Sequence, residues 1–368
     1  MNRLAKSAAI GGALIVIGAI LCVGTLFVAT GGQIVSEAQT ALIRLTLLTR
    51  QDDLNRSISA DTSPLRFTVN IGDTPRAIAR NLAANGLIAD ENLFVDYVRA
   101  ERLDTELEAG TYFLNQAQST AQIAVALTDS SSSQFPFRIL EGWRMEEVAA
   151  IIDTNPYFGF SGADFLQVVS AGAQVDPTFA AFVGLPTGAS LEGYLFPDTY
   201  QLPAQITPVM LRDTLLQEFL DNIGTDIPSS ASAQGLTIHQ IVTLASIIQR
   251  EAVHADEHPM IASVYRNRMA IGMKLDADPT VQYAIGFKNG SWWPPITQAD
   301  YSGVISPYNT YLGAGLPPGP IANPGITAIR AAANPAPSND YYFRATCDGT
   351  GYHTFAATYE QHIANACP

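Results

Sequence analysis

The sequence has little material for a metal centre held by thiolates, since only three cysteines occur in 368 residues and none forms a CxxC pair. HExxH and GxSxG are absent as well, which removes the metalloprotease helix and the serine nucleophile elbow. The five histidines are scattered along the chain. Chemistry must therefore come from carboxylates, histidine, hydroxyls or amides, and we expect no metal and no other cofactor.

Basic residues are also scarce. Lys and Arg number 20 against 34 Asp and Glu, which gives a formal net charge of −14. Such a chain repels phosphates, so we expect no general binding of nucleic acid. Hydrophobic residues make up 47% and charged residues 15%, a balance typical of folded chains. The length allows two domains plus appendages.

One uncharged apolar run occupies residues 8–29. At about 1.5 Å per residue, a helix of that length spans the hydrocarbon core of a bilayer. Arg3 and Lys6 precede the run and Glu37 is the first charge after it, so the positive-inside rule places the N-terminus in the cytoplasm. A cleaved signal peptide is the alternative. We predict a single-pass helix in the bacterial cytoplasmic membrane, with a short cytoplasmic tail, over residues 1–29.

Two cysteines, Cys347 and Cys367, fall on the predicted outer side of the membrane, where disulfides persist. They flank one helix-like stretch, and no third external thiol competes with them. We therefore expect a disulfide between them.

A self-comparison finds an internal repeat. Residues 67–79, FTVNIGDTPRAIA, align without a gap on residues 137–149, FRILEGWRMEEVA. Both copies predict a short strand, a glycine turn and a helix. The first copy resembles the opening of a LysM module, which binds cell-wall glycans; a helix ending near Asn85 and a strand at GTYFL would complete it. Residues 30–64 read as a juxtamembrane stalk and residues 65–135 as the LysM-like domain.

The remaining chain, residues 136–368, predicts a larger α+β domain. Residues 136–188 form a connecting subdomain and residues 189–368 a core. In this core, Thr237 caps one helix and Gly272 stops the next. The overall fold class is α+β, with a transmembrane helix, a small LysM-like α+β domain and a larger catalytic α+β domain.

Glu192, in SLEGYLFPDTY, is the strongest catalytic candidate. Its apolar and aromatic neighbours place the carboxyl group in a partly dry setting, which would raise its pKa as a general acid requires. Gly193 beside it allows a substrate or a backbone segment to approach closely. A glutamate that caps a helix or pairs with an arginine is the alternative.

Two helices carry charges on otherwise apolar faces. Glu251 shares a face with Leu244 and Ile248, and Arg268 shares one with Tyr265. The two charges either form a buried pair or line a cleft, and we favour the cleft because Tyr265 can stack on a sugar. Asp278 precedes Pro279, and a helix cap is its default role.

Polar and aromatic side chains in two later segments suit sugar binding. In SPYNTY, Asn309 donates and accepts, and Tyr308 and Tyr311 offer ring faces. A turn held by the Asn309 side chain is an equal alternative. His353, in GYHTF, has a structural role as its default.

The motifs SLEGYLFPDTY, LASIIQREA, SVYRNRM, LDADPTVQYA, SPYNTY, GLPPGPIANPG, AAANPA and GYHTF occur in this order. In this the chain resembles the MltG (YceG-like) family of endolytic murein transglycosylases, over about residues 65–368. The resemblance implies cleavage between N-acetylmuramic acid and N-acetylglucosamine, with Glu192 as the catalytic residue and 1,6-anhydro ends as products. The substrate-binding residues expected within these motifs are Tyr194, Asp198, Thr199, Glu251, Arg268, Asp278, Thr280, Tyr308, Asn309, Thr310, Tyr311 and His353.

The resemblance also implies partners: peptidoglycan strands, penicillin-binding proteins and the elongation machinery, with a role in ending nascent strands. A single acid suits this chemistry, because the 6-hydroxyl of the substrate itself attacks the anomeric carbon. Two alternatives stay open. A muramidase-type hydrolase would use Glu251 or Asp278 as a second carboxylate, and a glycan-binding scaffold would have no activity.

Overall fold

The computed structural model of the protein describes residues 33–367. Within them the chain divides into two compact units. The first comprises residues 33–134 with 203–205, and the second comprises residues 135–202 with 206–367. The predicted membrane helix at residues 8–29 lies outside the described residues.

The first unit contains two strands and five helices. In chain order these are α1 (Gln33–Thr49), α2 (Gln51–Asn55), β1 (Leu65–Val69), α3 (Pro75–Ala84), α4 (Glu91–Ala100), β2 (Gly110–Leu114) and α5 (Thr120–Ala126). β1 and β2 pair antiparallel, with Phe67 opposite Tyr112. The strand, helix and closing strand predicted for residues 65–114 are confirmed, whereas the likeness to LysM and the binding of glycan stay predictions.

The first unit packs around one apolar core. The inward-facing side chains of β1, β2 and the helices are almost wholly buried, among them Phe67, Ile78, Leu82, Phe94, Tyr112 and Leu114. Part of the predicted stalk is helical and packed: Leu47 and Leu54 join a small cluster with Leu93 of α4, and Arg44 Nη2 donates to the Ala100 carbonyl at 2.8 Å. Burial of an apolar helix face stabilises such a helix more than propensity does.

The second unit is mostly helical. Its elements are β3 (Gln134–Arg138), α6 (Met145–Thr154), α7 (Gly162–Val169), α8 (Pro177–Val183), β4 (Thr199–Pro203), α9 (Pro208–Ile223), α10 (Asp226–Ala233), α11 (Ile238–Glu251), α12 (His258–Ala270), α13 (Asp278–Ile285), α14 (Gln298–Gly303), α15 (Ile326–Ala333), β5 (Tyr342–Ala345), β6 (His353–Ala356) and α16 (Tyr359–Ala364). Across the described residues the strands form three two-stranded sheets, so the α+β class holds at this level.

The central helix of the second unit is α11, which packs against α12, α13 and α15. Its side chains from Ile238 to Ile248 are all buried except Gln240. The predicted N-cap is confirmed, since the Thr237 side chain accepts from the Gln240 N–H. The next helix ends before Gly272, which adopts a φ of 68°, as predicted.

The C-terminal residues form a small hairpin with a helix. β5 pairs antiparallel with β6, and α16 contacts both strands. A disulfide joins Cys347 to Cys367. This link closes the chain end onto the turn between the two strands.

Between residues 33 and 367, no single helix is long and apolar enough to cross a membrane. Taken together, α10 and α11 are long and apolar enough for a membrane span, but the chain bends by 97° between them.

Candidate active site

Glu192 sits in a tight turn just before β4, and its side chain has no exposed surface. Gly193 makes this turn possible, because it adopts a φ of 91° and a Cβ there would lie 2.5 Å from Pro320 and 2.9 Å from Val242. Only glycine fits such a position. The close approach predicted at Gly193 is therefore made by Pro320 and Val242.

Asn323 holds this turn from a distant loop. Its side-chain oxygen accepts from the backbone N–H of Gly193 at 2.8 Å and of Leu195 at 3.0 Å. Its amide nitrogen donates to Glu192 Oε1 at 3.1 Å and to the Trp143 carbonyl at 2.9 Å. Asn323 is fully buried with its amide satisfied, so it fixes both the turn and the carboxyl group.

The N-terminus of α6 faces the same carboxyl group. The Met145 N–H donates to Glu192 Oε1 at 3.1 Å and to Oε2 at 3.3 Å. Orphan N–H groups and the helix dipole at such a terminus stabilise negative charge. The site therefore offers donors to the ionised form of a carboxyl group that is nevertheless buried.

Burial dominates the protonation of Glu192. Burial, joined by the negative charges of Glu146 and Glu147, raises the pKa of the carboxyl group, whereas Arg144 and the Met145 N–H lower it; the net result is a pKa of about 8. Glu192 is therefore largely protonated at neutral pH. This is the state a general acid needs.

Arg144 links the carboxyl group to a cluster of aromatic rings. Its guanidinium pairs with Glu146 at 3.2 Å and lies 4.1 Å from the ring centre of Tyr283 and 4.8 Å from that of Trp292. The side chain is only 4% exposed. We call Arg144, Glu192, Tyr283, Tyr308 and Asn323 the Glu192 site; the rings of Tyr283 and Tyr308 lie 4.8 Å apart.

A second contact ties Trp293 to this site. Its Nε1 donates to Glu147 Oε2 at 3.0 Å, and the Arg250 guanidinium lies 3.9 Å from its ring centre. The rings of Trp292 and Trp293 therefore pack against arginines near Glu192, with Arg144 at 4.8 Å from Trp292 and Arg250 at 3.9 Å from Trp293.

Four of the other predicted residues, Glu251, Arg268, Asp278 and His353, line a separate cavity of about 240 Å³. We call it the Glu251 cavity; its lining includes Glu251, Tyr265, Arg268, Asp276, Asp278, Phe343, Arg344 and His353. The Tyr265 hydroxyl donates to Glu251 Oε1 at 2.6 Å. Burial raises the pKa of Glu251 to about 7.

The alternative of a direct ion pair between Glu251 and Arg268 is wrong. Among the described residues Glu251 bonds to Tyr265, and Arg268 makes a 3.9 Å contact with Asp276. The Arg268 guanidinium mainly donates to the carbonyls of Tyr341, at 2.6 Å, and Leu275, at 2.7 Å. Both charged side chains nevertheless line the cavity, as the cleft interpretation requires.

The helix-cap role expected for Asp278 is also wrong. Asp278 is the first residue of α13, the N-cap is Ala277, and no side chain bonds at that cap. The Asp278 carboxylate instead accepts from the Tyr311 hydroxyl at 2.6 Å, and Tyr311 stacks on Tyr301. Asp278 therefore belongs to the wall of the cavity, and Tyr311 bonds to it.

Four residues expected to bind substrate have buried polar groups satisfied within the fold. The Tyr194 hydroxyl bonds to His239 Nδ1 at 2.8 Å inside an aromatic core. Thr280 and Thr310 bond to each other at 2.9 Å. Asn309 donates to the carbonyls of residues 301 and 304 and accepts from the N–H of residue 311. The polar groups of all four side chains are thus used within the fold, and their assignment to substrate binding stays a prediction; the bonds of Asn309 are those of the turn alternative.

Of the last three candidates, two lie at the surface and one lies at the Glu251 cavity. Asp198 and Thr199 are exposed at the start of β4, and the Asp198 carboxylate accepts from the Thr199 N–H. Within residues 33–367, neither side chain forms a hydrogen bond or an ion pair with a residue of the Glu192 site. His353 lines the Glu251 cavity and pairs with Glu257 at 2.8 Å, so its structural role and its predicted position beside substrate are both compatible with the geometry.

Sequence reasoning missed Asn323, Arg144 and Tyr283. Asn323 lies in GLPPGPIANPG, a motif that was singled out without any residue in it being assigned a role. Arg144 lies in the second copy of the internal repeat, one residue before α6. Its one local signal in the sequence is its position: it carries a charge, it precedes the N-terminus of a helix, and it lies two residues after the turn glycine of the repeat.

The site carries acid–base chemistry by itself. Within residues 33–367 no three or more His, Cys, Asp and Glu side chains are placed to hold a metal ion. The Glu192 site contributes one protonated carboxyl group, two N–H donors that stabilise its anion, and aromatic surface beside it.

Comparisons with known proteins identify the family and its relatives. Residues 67–367 match the YceG-like family. The chain is 30% identical over 318 residues to a protein from Bacillus subtilis described as an endolytic murein transglycosylase, a match that covers 81% of this chain and 83% of the relative. A protein of the same description from Streptococcus pneumoniae is 28% identical over 319 residues, which cover 80% of this chain and 56% of that longer relative.

A solved structure is also similar. The crystal structure of a yceG-like protein from Listeria monocytogenes aligns with a TM-score of 0.54 and 29% sequence identity, and the match covers 83% of this chain and 99% of that chain. The likeness extends through both units of the described fold.

Proposed function

The chain belongs to the YceG-like family, and we propose that it is an endolytic lytic transglycosylase of peptidoglycan with Glu192 as its catalytic residue. The observation that carries the assignment is the buried, protonated Glu192 carboxyl group, which two amide donors hold in place. The relatives described as endolytic murein transglycosylases support the reaction class.

The mechanism needs one group in two protonation states. Glu192 first donates its proton to the glycosidic oxygen as the bond between N-acetylmuramic acid and N-acetylglucosamine breaks. The resulting carboxylate then accepts the proton of the muramyl 6-hydroxyl as that oxygen attacks the anomeric carbon, which closes the 1,6-anhydro ring. No water is consumed, since the nucleophile is already part of the substrate.

The hydrogen bonds indicate which oxygen carries the proton. Oε1 accepts from both Asn323 Nδ2 and the Met145 N–H at 3.1 Å, whereas Oε2 has a single backbone donor at 3.3 Å. In a protonated carboxyl group, the oxygen that carries no hydrogen is the better hydrogen-bond acceptor. Oε2 is therefore the donor to the substrate, and the bonds to Oε1 stabilise the carboxylate that follows.

Access to this group requires a local opening, because Glu192 has no exposed surface. Arg144, Tyr283 and Tyr308 all lie close enough to interact with it electrostatically. We propose that part of this packing separates when a glycan strand binds. The predicted substrate-binding residues near these two sites are Tyr308 at the Glu192 site, Glu251, Arg268, Asp278 and His353 at the Glu251 cavity, and Tyr311, which bonds to Asp278.

The direct test is product analysis with Glu192→Gln. The amide keeps the shape but has no acidic proton, so the variant should fold and release no anhydro-ended fragments from purified peptidoglycan. If it cuts strands as fast as the wild type, the assignment of Glu192 is refuted. Mass spectrometry of wild-type products also separates the two enzyme alternatives, since a muramidase-type hydrolase adds one water per bond cleaved and the lytic reaction adds none.

Anchoring and cellular role are further parts of the proposal. The uncharged run at residues 8–29 supports a single membrane helix with the catalytic unit outside the cytoplasm. The Cys347–Cys367 disulfide supports the same side, where such bonds persist. On this basis the enzyme would end nascent strands near the membrane, alongside penicillin-binding proteins and the elongation machinery. A soluble variant that lacks residues 1–29 and still complements loss of the full chain would contradict the need for an anchor.

A further inference from the structure

The Glu251 cavity keeps hydrogen-bond acceptors free while its own donors are used by the fold. The Arg268 Nε and Nη1 atoms donate to backbone carbonyls, and Arg344 Nη1 donates to the His362 carbonyl at 3.1 Å. Lys274, next to the cavity, directs its ammonium group to the Tyr311 carbonyl at 2.8 Å. The cationic side chains at this cavity therefore donate mainly to main-chain oxygens rather than to its carboxylates.

The carboxylates of the cavity, in contrast, accept few hydrogen bonds from the fold. Glu251 Oε1 accepts from Tyr265, but in residues 33–367 no hydrogen bond reaches its Oε2 atom. Asp276 makes only the 3.9 Å contact with Arg268. These oxygens line the cavity and receive no hydrogen bond from the described residues, so a ligand that brings donors and positive charge would complement them.

We propose that the Glu251 cavity binds the free ammonium group of the diamino acid in a peptidoglycan stem peptide, beside the glycosidic bond that is cleaved at the Glu192 site. The inference rests on the proposed function. An alkylammonium group supplies three N–H donors and one positive charge, which are what the free oxygens of Glu251 and Asp276 lack.

The size of the cavity agrees with a side chain rather than a sugar chain. Its volume of about 240 Å³ lies below the range of about 300–1,000 Å³ that is usual for pockets enclosing whole small-molecule ligands. Phe343 and Tyr265 provide apolar wall for the methylene groups of such a side chain.

The reach of a stem peptide agrees as well. α13 connects the two sites, since Asp278 at its first residue lines the cavity and Tyr283 lies at the Glu192 site. Five residues of helix separate them by about 7.5 Å of rise. The diamino acid is the third residue of a stem that begins on the muramic acid, and three extended residues span roughly 10 Å. A stem on the muramic acid at the Glu192 site can therefore reach the cavity.

The cleavage test compares three substrates with the full chain in detergent: strands with free stem amines, the same strands after N-acetylation, and strands stripped of stems by an amidase. We expect kcat/KM to be about tenfold higher for free amines than for acetylated stems, as for the loss of one charge-assisted bond. Asp276→Asn and Glu251→Gln should each reduce this ratio. Asp104→Asn, an exposed carboxylate in the other unit, is the matched control and should leave the ratio unchanged.

Asp276 is the more informative position. It adopts a φ of 47°, and asparagine tolerates that conformation as well as aspartate does, so Asp276→Asn removes the charge without straining the backbone. If wild type cleaves free and acetylated stems equally well, or if Asp276→Asn slows all three substrates by one factor, the proposal is overturned and the cavity serves the sugar or the fold.

Binding gives a readout that does not depend on catalysis. Calorimetry with a free stem tripeptide and the full chain should detect binding, which N-acetylation of the peptide and Asp276→Asn each weaken. If the protein makes no anhydro ends from any strand but binds the free tripeptide more tightly than the acetylated one, the proposed function is refuted and the cavity assignment stands. Equal binding of the free and acetylated tripeptides would refute the assignment.

Discussion

Replacing Glu192 with glutamine should stabilise the second unit by an amount that increases with pH. The carboxyl group of Glu192 has a pKa of about 8 in the fold, against an ordinary value of 4.5. Between these values the native state keeps a proton that the unfolded chain has released. Stability of the wild type therefore falls as pH rises across this window, because the native state binds more protons than the unfolded state.

The magnitude follows from the shift. One pKa unit corresponds to about 1.4 kcal/mol, so the wild type should lose roughly 3 kcal/mol relative to Glu192→Gln between about pH 5 and pH 7. Glutamine does not titrate and contributes no such slope. Glu251, whose pKa is also raised by burial, is present in both proteins, so its contribution cancels in the difference.

Urea unfolding followed by tryptophan fluorescence measures this difference. All three tryptophans lie in the second unit: Trp143, Trp292 and Trp293, and the signal therefore reports the unit that holds the site. Glu218→Gln on α9, a partly exposed glutamate, is the matched control and should follow the pH dependence of the wild type. A difference between Glu192→Gln and wild type that stays constant from pH 5 to pH 8 would refute the argument that Glu192 is held neutral.

Three further outcomes are expected. Activity should decline above about pH 8, because the carboxyl group of Glu192 then ionises. Arg144 lowers the pKa of this group, so Arg144→Met should move the decline to higher pH. Glu146 raises the same pKa, so Glu146→Gln should move the decline to lower pH. Asn323→Ala should lower both turnover and the free energy of unfolding, the latter by about 3 kcal/mol, since it leaves two buried N–H groups without an acceptor; unchanged unfolding would contradict the role of its side-chain oxygen. Reduction of Cys347–Cys367 should destabilise the C-terminal hairpin by about 3 kcal/mol, as for a closed loop of this length, which thermal unfolding with and without reductant measures.

Local patterns predicted the elements of the fold well. Both copies of the internal repeat form a strand, a turn and a helix, and their glycines, Gly72 and Gly142, adopt φ values of 89° and 78°. Thr237 caps its helix as expected. These features depend on residues within a few positions of one another, so the information is present in a short window of sequence.

Long-range contacts were not predictable in the same way. The amide of Asn323 reaches a turn that lies 131 residues earlier, and Arg144 stacks on Tyr283 from a different helix. The pattern at Arg268 indicated correctly that it points inward, yet its nearest partners are the carbonyls of Tyr341 and Leu275. Periodicity gives the direction of a side chain, but only the packing of elements decides which group it meets.

The arrangement around Glu192 resolves a conflict that a single-acid mechanism creates. The resting enzyme needs a protonated carboxyl group, which burial provides by raising its pKa. The second half of the reaction needs the same group as a stable anion, which the Met145 N–H and the Asn323 amide provide through fixed donors to Oε1. Burial without these donors would make the carboxylate too costly to form, and donors without burial would leave the resting group ionised. The buried turn and the asparagine that anchors it therefore act together, and the stability that the fold loses as the pH rises from about 5 to about 8 is the physical consequence.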